Sequence, residues 1–295
     1  MRTVVMAMAL AGACTAQAAP KYAPVPGFEA SVLTTQVDGM VEIDPDGRVV
    51  DYILEKGRKP LPPAVAERLG KQVRGWSFDP VQVGGKPVLA RARMRVTLIA
   101  EEKPDGFAVS VDNVTFPPLR GAVVPDSKPD LQLRMVKAPR PSYPDEFQNR
   151  RLDATVLVSV KLHADGRFAD AAIVQTSIPD RYGKPEEFGR LAAILEAEVM
   201  RAVPRMQMAI DYPPGAVATD EPVTGMMPIL FRMGAEPKQA QGLWRTETRS
   251  IKRTPPWLAI DDIQHLAGVS DLNDGETATA EAGLRLKNAV NGVTL

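Results

Sequence analysis

The stretch Asp46-Gly47-Arg48-Val49-Val50-Asp51 recurs far along the chain as Asp165-Gly166-Arg167-Phe168-Ala169-Asp170. Each copy follows a run in which apolar and polar residues alternate, and each leads into a second apolar run. Aspartate and glycine favour a hairpin turn here, because glycine readily adopts the positive φ that such turns need. The chain is therefore predicted to contain two copies of one small module, each beginning with a β-hairpin.

The first module continues from its hairpin into a helix and a long strand. Pro62 and Pro63 can open the helix, where a missing N–H group costs nothing. Its apolar face is formed at helical spacing by Val65, Leu69, Val73 and Trp76. Residues 88–98 then alternate strictly, which predicts a half-buried antiparallel strand covered by the helix. Residues 107–116 also alternate and can add one more strand.

The second module repeats this order of elements. Residues 156–162 alternate before the turn, and residues 168–174 return. Glu186 and Glu187 suit a helix N-terminus, where negative charge meets the positive end of the helix dipole. The helix is followed by a last strand over residues 226–233. Both modules are thus predicted to run strand, strand, helix, strand.

Proline, with 27 residues, clusters between the periodic segments and marks the boundaries of five predicted parts. These parts are a signal peptide at 1–18, a first module at 29–116, a linker at 117–141, a second module at 142–233 and a tail at 234–295. The tail is predicted to carry one helix near 256–266 and a second near 279–290. Its basic residues are interpreted as a solvated linker: Arg245, Arg249, Lys252 and Arg253.

The N-terminus predicts export. Arg2 precedes a short apolar run, and Ala16-Gln17-Ala18 matches a cleavage site, which together are typical of a secretory signal peptide. The mature chain is then expected to be exported, starting near Ala19 and without a transmembrane anchor. The alternative is a lipoprotein acylated at Cys14, although a large aliphatic residue is missing three positions upstream. Cys14 is the only cysteine, so a chain cleaved after it can form no disulfide.

Composition and motifs argue against several function classes. Thirty-six basic and 36 acidic residues give a net charge of zero, which disfavours a nucleic-acid partner. The chain has two histidines, of which His163 occupies a turn position and His265 a predicted helix. The stretch from Asp271 to Glu276 resembles part of a calcium loop, but Gly275 comes one position early and Ala282 replaces the final glutamate. No catalytic group, metal site or cofactor is predicted, so the chain is not expected to be an enzyme.

Several motifs in this order resemble the C-terminal domain of the TonB family. The second module carries Pro139-Arg140-Pro141-Ser142-Tyr143-Pro144, then its alternating strand, the Asp165-Gly166 turn and a closing Ile229-Leu230-Phe231. The first module carries Phe78-Asp79-Pro80 followed by Gly85-Lys86-Pro87-Val88. The resemblance covers about residues 37–99 and 139–233. It implies an α+β fold of two TonB C-terminal-like modules, each a small antiparallel sheet packed by one helix. It departs from the family's energy transducers in lacking an uncleaved N-terminal anchor and a long periplasmic linker.

The resemblance also implies a function, because this family's domain binds extended peptides by adding a strand to its sheet. An exposed edge offers unpaired N–H and C=O groups for such a strand. The edge is expected at a closing strand, over residues 91–98 or 227–231. The candidate binding residues are Met227, Ile229, Leu230, Phe231, Arg91, Arg93 and Arg95. The implied partner is a protein or peptide of the cell envelope, such as an outer-membrane receptor, and a homodimer stays open.

Alternative interpretations of the same residues remain at this point. The three arginines could meet carboxylates or surface phosphates, or they could line a solvated sheet face beside acids such as Glu42. The edges could be blocked by the linker, the tail or the other module. The protein could then be a structural or assembly protein that only oligomerises, a transport accessory, or a hydrolase whose site the sequence does not reveal.

Overall fold

The computed structural model describes residues 32–57, 59–104, 106–117, 131–137, 141–179, 185–212, 221–233, 242–258, 266–273, 275–279 and 284–295. The expected signal peptide, Cys14, His265 and most of the first tail helix lie outside these residues. No helix in the described part is long and apolar enough to cross a membrane.

The elements fall into two halves and a tail. The first half contains β1 (Val32–Ile43), β2 (Val49–Leu54), α1 (Pro63–Arg74), β3 (Gln82–Val83), β4 (Lys86–Pro87), β5 (Ala90–Lys103) and β6 (Gly106–Thr115). The second half contains β7 (Gln132–Lys137), α2 (Asp145–Arg150), β8 (Ala154–Leu162), β9 (Phe168–Pro179), α3 (Pro185–Ala202), β10 (Gln207–Asp211) and β11 (Val223–Phe231). The tail contributes β12 (Arg245–Arg249) and β13 (Ala278–Thr279).

Each half has the same topology. The central strand of each half, β1 or β8, pairs with its hairpin partner on one side and with a strand that follows the helix on the other. All these pairings are antiparallel, so the α+β class is observed. We call the halves repeat 1 and repeat 2, and positions 119 residues apart in β1 and β8 correspond.

The repeated turn has the same geometry in both repeats. Gly47 and Gly166 have φ of 85° and 81°. The N–H of each donates a hydrogen bond to the backbone carbonyl oxygen of the residue three positions earlier. A Cβ on Gly47 would lie 2.1 Å from the carbonyl oxygen of Phe78, and one on Gly166 would lie 2.0 Å from that of Met208. The glycines are thus required twice over, by their backbone conformation and by close packing.

The last aspartate of the repeated stretch also has one role in both copies. Asp51 accepts a hydrogen bond from the N–H of Tyr52, and Asp170 accepts one from Ala171, each at 2.8 Å. A side chain that occupies a backbone donor at the outer side of a strand hinders pairing with another chain.

Two hydrophobic cores lie on the sheet face that the helices cover, which we call the helix face. In repeat 1, Leu69 and Val73 of α1 pack with Val41, Ile43 and Val96. The core of repeat 2 combines α3 with β8 and β11, and its central residues are Val156, Val158, Val160, Leu191, Leu195 and Val199. The spacing of apolar residues in each helix therefore matches the alternation in the strands below it.

The two repeats form one sheet rather than two separate ones. Its strand order is β13-β11-β8-β9-β12-β1-β5-β6, with β2 also paired to β1. The joining strand is β12, which pairs with residues 32–34 of β1 and residues 177–179 of β9. The expectation of two small sheets is corrected here, because the tail supplies a strand that satisfies the backbone groups of both repeats.

The tail differs from its sequence-based description. Residues 284–290 are not helical, and Leu286, Val290 and Leu295 complete the core of repeat 1. Among the tail's basic residues, Arg249 is buried, at 2% exposed, and bonds Asp112 at 2.6 Å, whereas Arg245, Lys252 and Arg253 are half-buried. Within the expected linker, β7 pairs with β10. Local sequence patterns do not reveal the contacts that apolar and charged side chains make with a distant segment of the chain.

Candidate binding edge on the first repeat

Three of the four predicted apolar binding residues are part of the core. Met227, Ile229 and Phe231 are buried on the helix face, while Leu230 is half-buried. The opposite face of β11 is also covered, because Met226 packs against tail residues including Val269. These side chains hold the fold together, so any contact with a partner at β11 would have to go through the backbone.

The three arginines share the sheet face opposite the helices, which we call the arginine face. Each of them contacts an acid of β1. Arg91 contacts Glu42 at 3.2 Å, and Arg93 lies 3.5 Å from Asp38. The Arg91 side chain is 62% exposed, whereas that of Arg95 is only 3% exposed. The expected surface stripe is therefore reduced to Arg91 and Arg93.

Arg95 is the centre of a buried polar network. It bonds Asp38 at 2.7 Å, Glu276 at 2.5 Å and the carbonyl oxygen of Asp271 at 3.0 Å. Burial lowers the pKa of Arg95, but its hydrogen bonds to Asp38 and Glu276 outweigh burial and raise that pKa. Burial likewise raises the pKa of Glu276, and the bonds from Arg95 and Asn273 outweigh it and lower that pKa. Two residues of the segment that resembles a calcium loop, Asp271 and Glu276, thus contact a guanidinium group.

Asp271 fixes the same segment to both β5 and β6. Its carboxylate accepts hydrogen bonds from Thr97, Asn113 and the backbone of Gly268, each at 2.5 Å. These three donors satisfy the hydrogen-bonding capacity that a buried carboxylate would otherwise leave unmet. The arrangement covers the arginine face from Arg95 onward and leaves Arg91 and Arg93 outside it.

The hydrogen-bond pattern shows which backbone groups of β5 point away from β1. The backbone of Asp44 accepts and donates hydrogen bonds within the turn, and the carbonyl oxygen of Asp38 accepts one from the N–H of Glu55. The backbone N–H and C=O groups of the even-numbered residues of β1 therefore point toward β2. Alternation in an antiparallel ladder then directs the odd-numbered residues of β1 to β5. Through the register Val41↔Ala92, the N–H and C=O groups of Arg91 and Arg93 point outward.

The outer side of β5 is only partly paired. β6 pairs with β5 from Arg95 to Lys103, which removes residues 95–98 from the predicted edge. On this side, away from β1, residues 90–94 have no strand partner among the described residues, and we call the stretch the 90–94 edge. Leu89, which directly precedes this edge in the chain, is 59% exposed.

The corresponding edge of repeat 2 holds an added strand. Ala90 pairs with Ile43 and Val223 with Leu162, so residues 90–94 of β5 correspond to residues 223–227 of β11. There the tail strand β13 pairs with Gly225 and Met226. An extended segment of this chain therefore already occupies, in repeat 2, the position that the 90–94 edge presents in repeat 1.

The second predicted edge, at residues 227–231, is less suited to pairing. The same alternation directs the backbone of Pro228 and Leu230 away from β8. Proline has no N–H to donate and is tolerated in a strand where that side is not needed. Pro228 thus removes a donor from this edge.

The described residues contain no group of three or more His, Cys, Asp or Glu side chains that could hold a metal ion. The backbone of His163 forms the hairpin turn, as its position in the repeat predicts. Sequence reasoning missed Asp38 and Glu276, whose importance depends on the register of β1 and β5 and on a contact 181 residues away in sequence.

Comparison of the chain with protein-family models, with curated proteins and with solved structures found no match in any of the three.

Proposed function

We propose that this chain is a non-catalytic binding protein of the cell envelope that recognises an extended segment of another polypeptide by strand addition at the 90–94 edge. The observation that carries the proposal is β13, which pairs with the corresponding edge of repeat 2. The outward N–H and C=O groups of Arg91 and Arg93 offer the same pairing to a second chain.

Two features of the sequence support this proposal. The secretory start at Arg2 and Ala16-Gln17-Ala18 supports a periplasmic location. The resemblance to the TonB C-terminal domain supports strand addition as the mode of binding. The partner is then an envelope protein with an extended segment, for which an outer-membrane receptor is one candidate.

The proposal is tested by capture from an envelope extract with three baits: the mature chain, Arg93→Pro and Arg93→Gln. Proline at residue 93 removes an outward N–H and leaves the β1–β5 ladder intact, because residue 93 does not donate to β1. Glutamine removes the charge and keeps the N–H. We expect a protein that the mature chain and Arg93→Gln retain and Arg93→Pro loses. Equal capture by all three folded baits would place binding elsewhere and refute the proposal.

A structural or assembly role is the second candidate. It is favoured by the other edges that the chain covers itself: residues 292–295 bond to β6, and residues 250–253 bond to β9. Such a protein would change its oligomeric state with concentration and would bind no extended peptide. Sedimentation of the mature chain over a range of concentrations distinguishes this role from the first.

A further inference from the structure

We propose, on the basis of the proposed function, that the 90–94 edge selects an extended segment in which acidic and apolar residues alternate. The inference depends on the chemistry that the two faces of β5 present beside its unpaired backbone. Each face would meet every second residue of an added strand.

The arginine face at this edge is cationic. A strand added outside β5 places alternate side chains about 5 Å from Arg91 and Arg93, which is the usual spacing of cross-strand neighbours. Each guanidinium has five donors, and the contacts described above use one nitrogen of each. Asp38, the neighbour of Arg93, is held more closely by Arg95, at 2.7 Å against 3.5 Å. Both arginines therefore have donors available for further carboxylates.

The helix face at the same edge is apolar. It presents Ala90, Ala92 and Met94, of which Ala92 and Met94 belong to the core of repeat 1 or pack against it. A partner residue on this side would extend that core, which favours valine or a similar side chain. An acid on this side would be buried without a cation.

Repeat 2 has an apolar residue where the 90–94 edge has an arginine. Met226 occupies the position that Arg93 holds in repeat 1, and its partner in β13 is the small, uncharged Ala278. An uncharged strand thus suits the apolar position, whereas the cationic position calls for an acid. The occupant of the 90–94 edge is a segment of another polypeptide with acidic residues at every second position.

The test measures binding of three fluorescein-labelled nonapeptides to the mature chain by fluorescence anisotropy at low salt. The peptides alternate valine with glutamate, with threonine or with lysine. We expect the glutamate peptide to bind about tenfold more tightly than the threonine peptide, since two exposed ion pairs contribute up to about tenfold together. The lysine peptide should bind most weakly, and the preference should shrink as salt screens the charges.

Two double variants with the same change in net charge complete the test. Arg91→Gln with Arg93→Gln should reduce binding of the glutamate peptide to that of the threonine peptide. Arg167→Gln with Arg201→Gln alters exposed arginines of repeat 2 and should leave all three affinities unchanged. Equal effects of the two double variants would show non-specific charge attraction and overturn the inference.

The remaining outcomes separate the inference from the function on which it rests. Equal binding of the glutamate and threonine peptides would overturn the acidic preference while leaving strand addition in place. No binding of any peptide by the folded chain would overturn both. A central proline in the glutamate peptide should abolish its binding, and unchanged binding would exclude backbone pairing.

Discussion

At the scale of single residues, two arginines of β5 have different roles: Arg95 is buried and structural, whereas Arg91 is exposed and proposed to contact a partner. Arg95 and Arg91 lie on the same face, four residues apart, but only Arg95 is enclosed by Asp38 and Glu276. Arg95→Met should destabilise the fold by about 3 kcal/mol, because it leaves Glu276 without its cation and removes the closer of the two cations beside Asp38. Arg91→Met should change stability by less than about 1 kcal/mol. Urea unfolding measures both, and similar losses would contradict the assignment.

Glu276 makes acid stability depend on the same network. Its pKa is lowered in the folded state, so its contribution is fully present above its unfolded pKa of about 4.5 and disappears as pH falls through the lower folded value. We expect Glu276→Gln to be less stable than the wild type at pH 7 and the difference to narrow below about pH 4.5. Unfolding free energies between pH 7 and pH 3 measure this, and a constant difference would argue against the bond to Arg95.

The turn glycine allows backbone strain to be separated from steric overlap. Gly47 has a positive φ and a close carbonyl, whereas Gly85 has φ of 73° and no atom within 4 Å of the point where a Cβ would lie. Gly85→Ala should destabilise by about 1 kcal/mol, since only its φ is unfavourable. Gly47→Ala should destabilise by clearly more, about 3 kcal/mol, since the overlap with Phe78 adds to it. Equal thermal shifts for the two variants would refute this account of the repeat.

At the scale of elements, the sequence predicted local structure well and long-range partners poorly. The repeated Asp-Gly turns and the alternation in residues 88–98 identify the hairpins and β5, because these signals are local. β12 reads Arg-Thr-Glu-Thr-Arg and gives no apolar alternation, although it lies between two other strands. Its Arg249 pairs with Asp112, which lies 137 residues away in sequence and which no local pattern predicts.

The same limit applies to the candidate site. The arginines and closing strands of the site were predictable, because strict alternation places residues 91, 93 and 95 on one face. The burial of Arg95 was not, because Glu276 and Asp271 approach it from the tail. The proposed role of the 90–94 edge depends on the pairing of β13 with the corresponding strand of repeat 2, and this long-range pairing has no local signal in the sequence.

The C-terminal segment offers a prediction about elements. Leu286 is 7% exposed in the core of repeat 1, while Ile251 in the same tail is 45% exposed. Leu286→Ala should destabilise by about 2–3 kcal/mol through loss of packing, and Ile251→Ala by less than about 1 kcal/mol. Chemical unfolding measures the difference, and an undiminished stability of Leu286→Ala would show that the segment is not part of the core.

At the scale of the whole molecule, one tail strand connects two repeats that each have a core. Because β12 pairs with both β1 and β9, we expect the wild type to unfold in a single transition. Thr248→Pro removes a backbone N–H from the middle of β12, where the strand pairs with β9. The variant should therefore unfold in two transitions instead of one. Calorimetry distinguishes the outcomes, and a single transition shifted as a whole would mean that other contacts couple the repeats.

The most direct test of the central claim is amide hydrogen exchange at single-residue resolution, with and without the valine-glutamate peptide. Strand addition at the 90–94 edge predicts that the amides of Arg91 and Arg93 become protected when the peptide binds, since both point outward. The amide of Ala92 should change little, because it already donates to β1. Binding that leaves the exchange of Arg91 and Arg93 unchanged, or that protects Leu230 instead, would contradict the account.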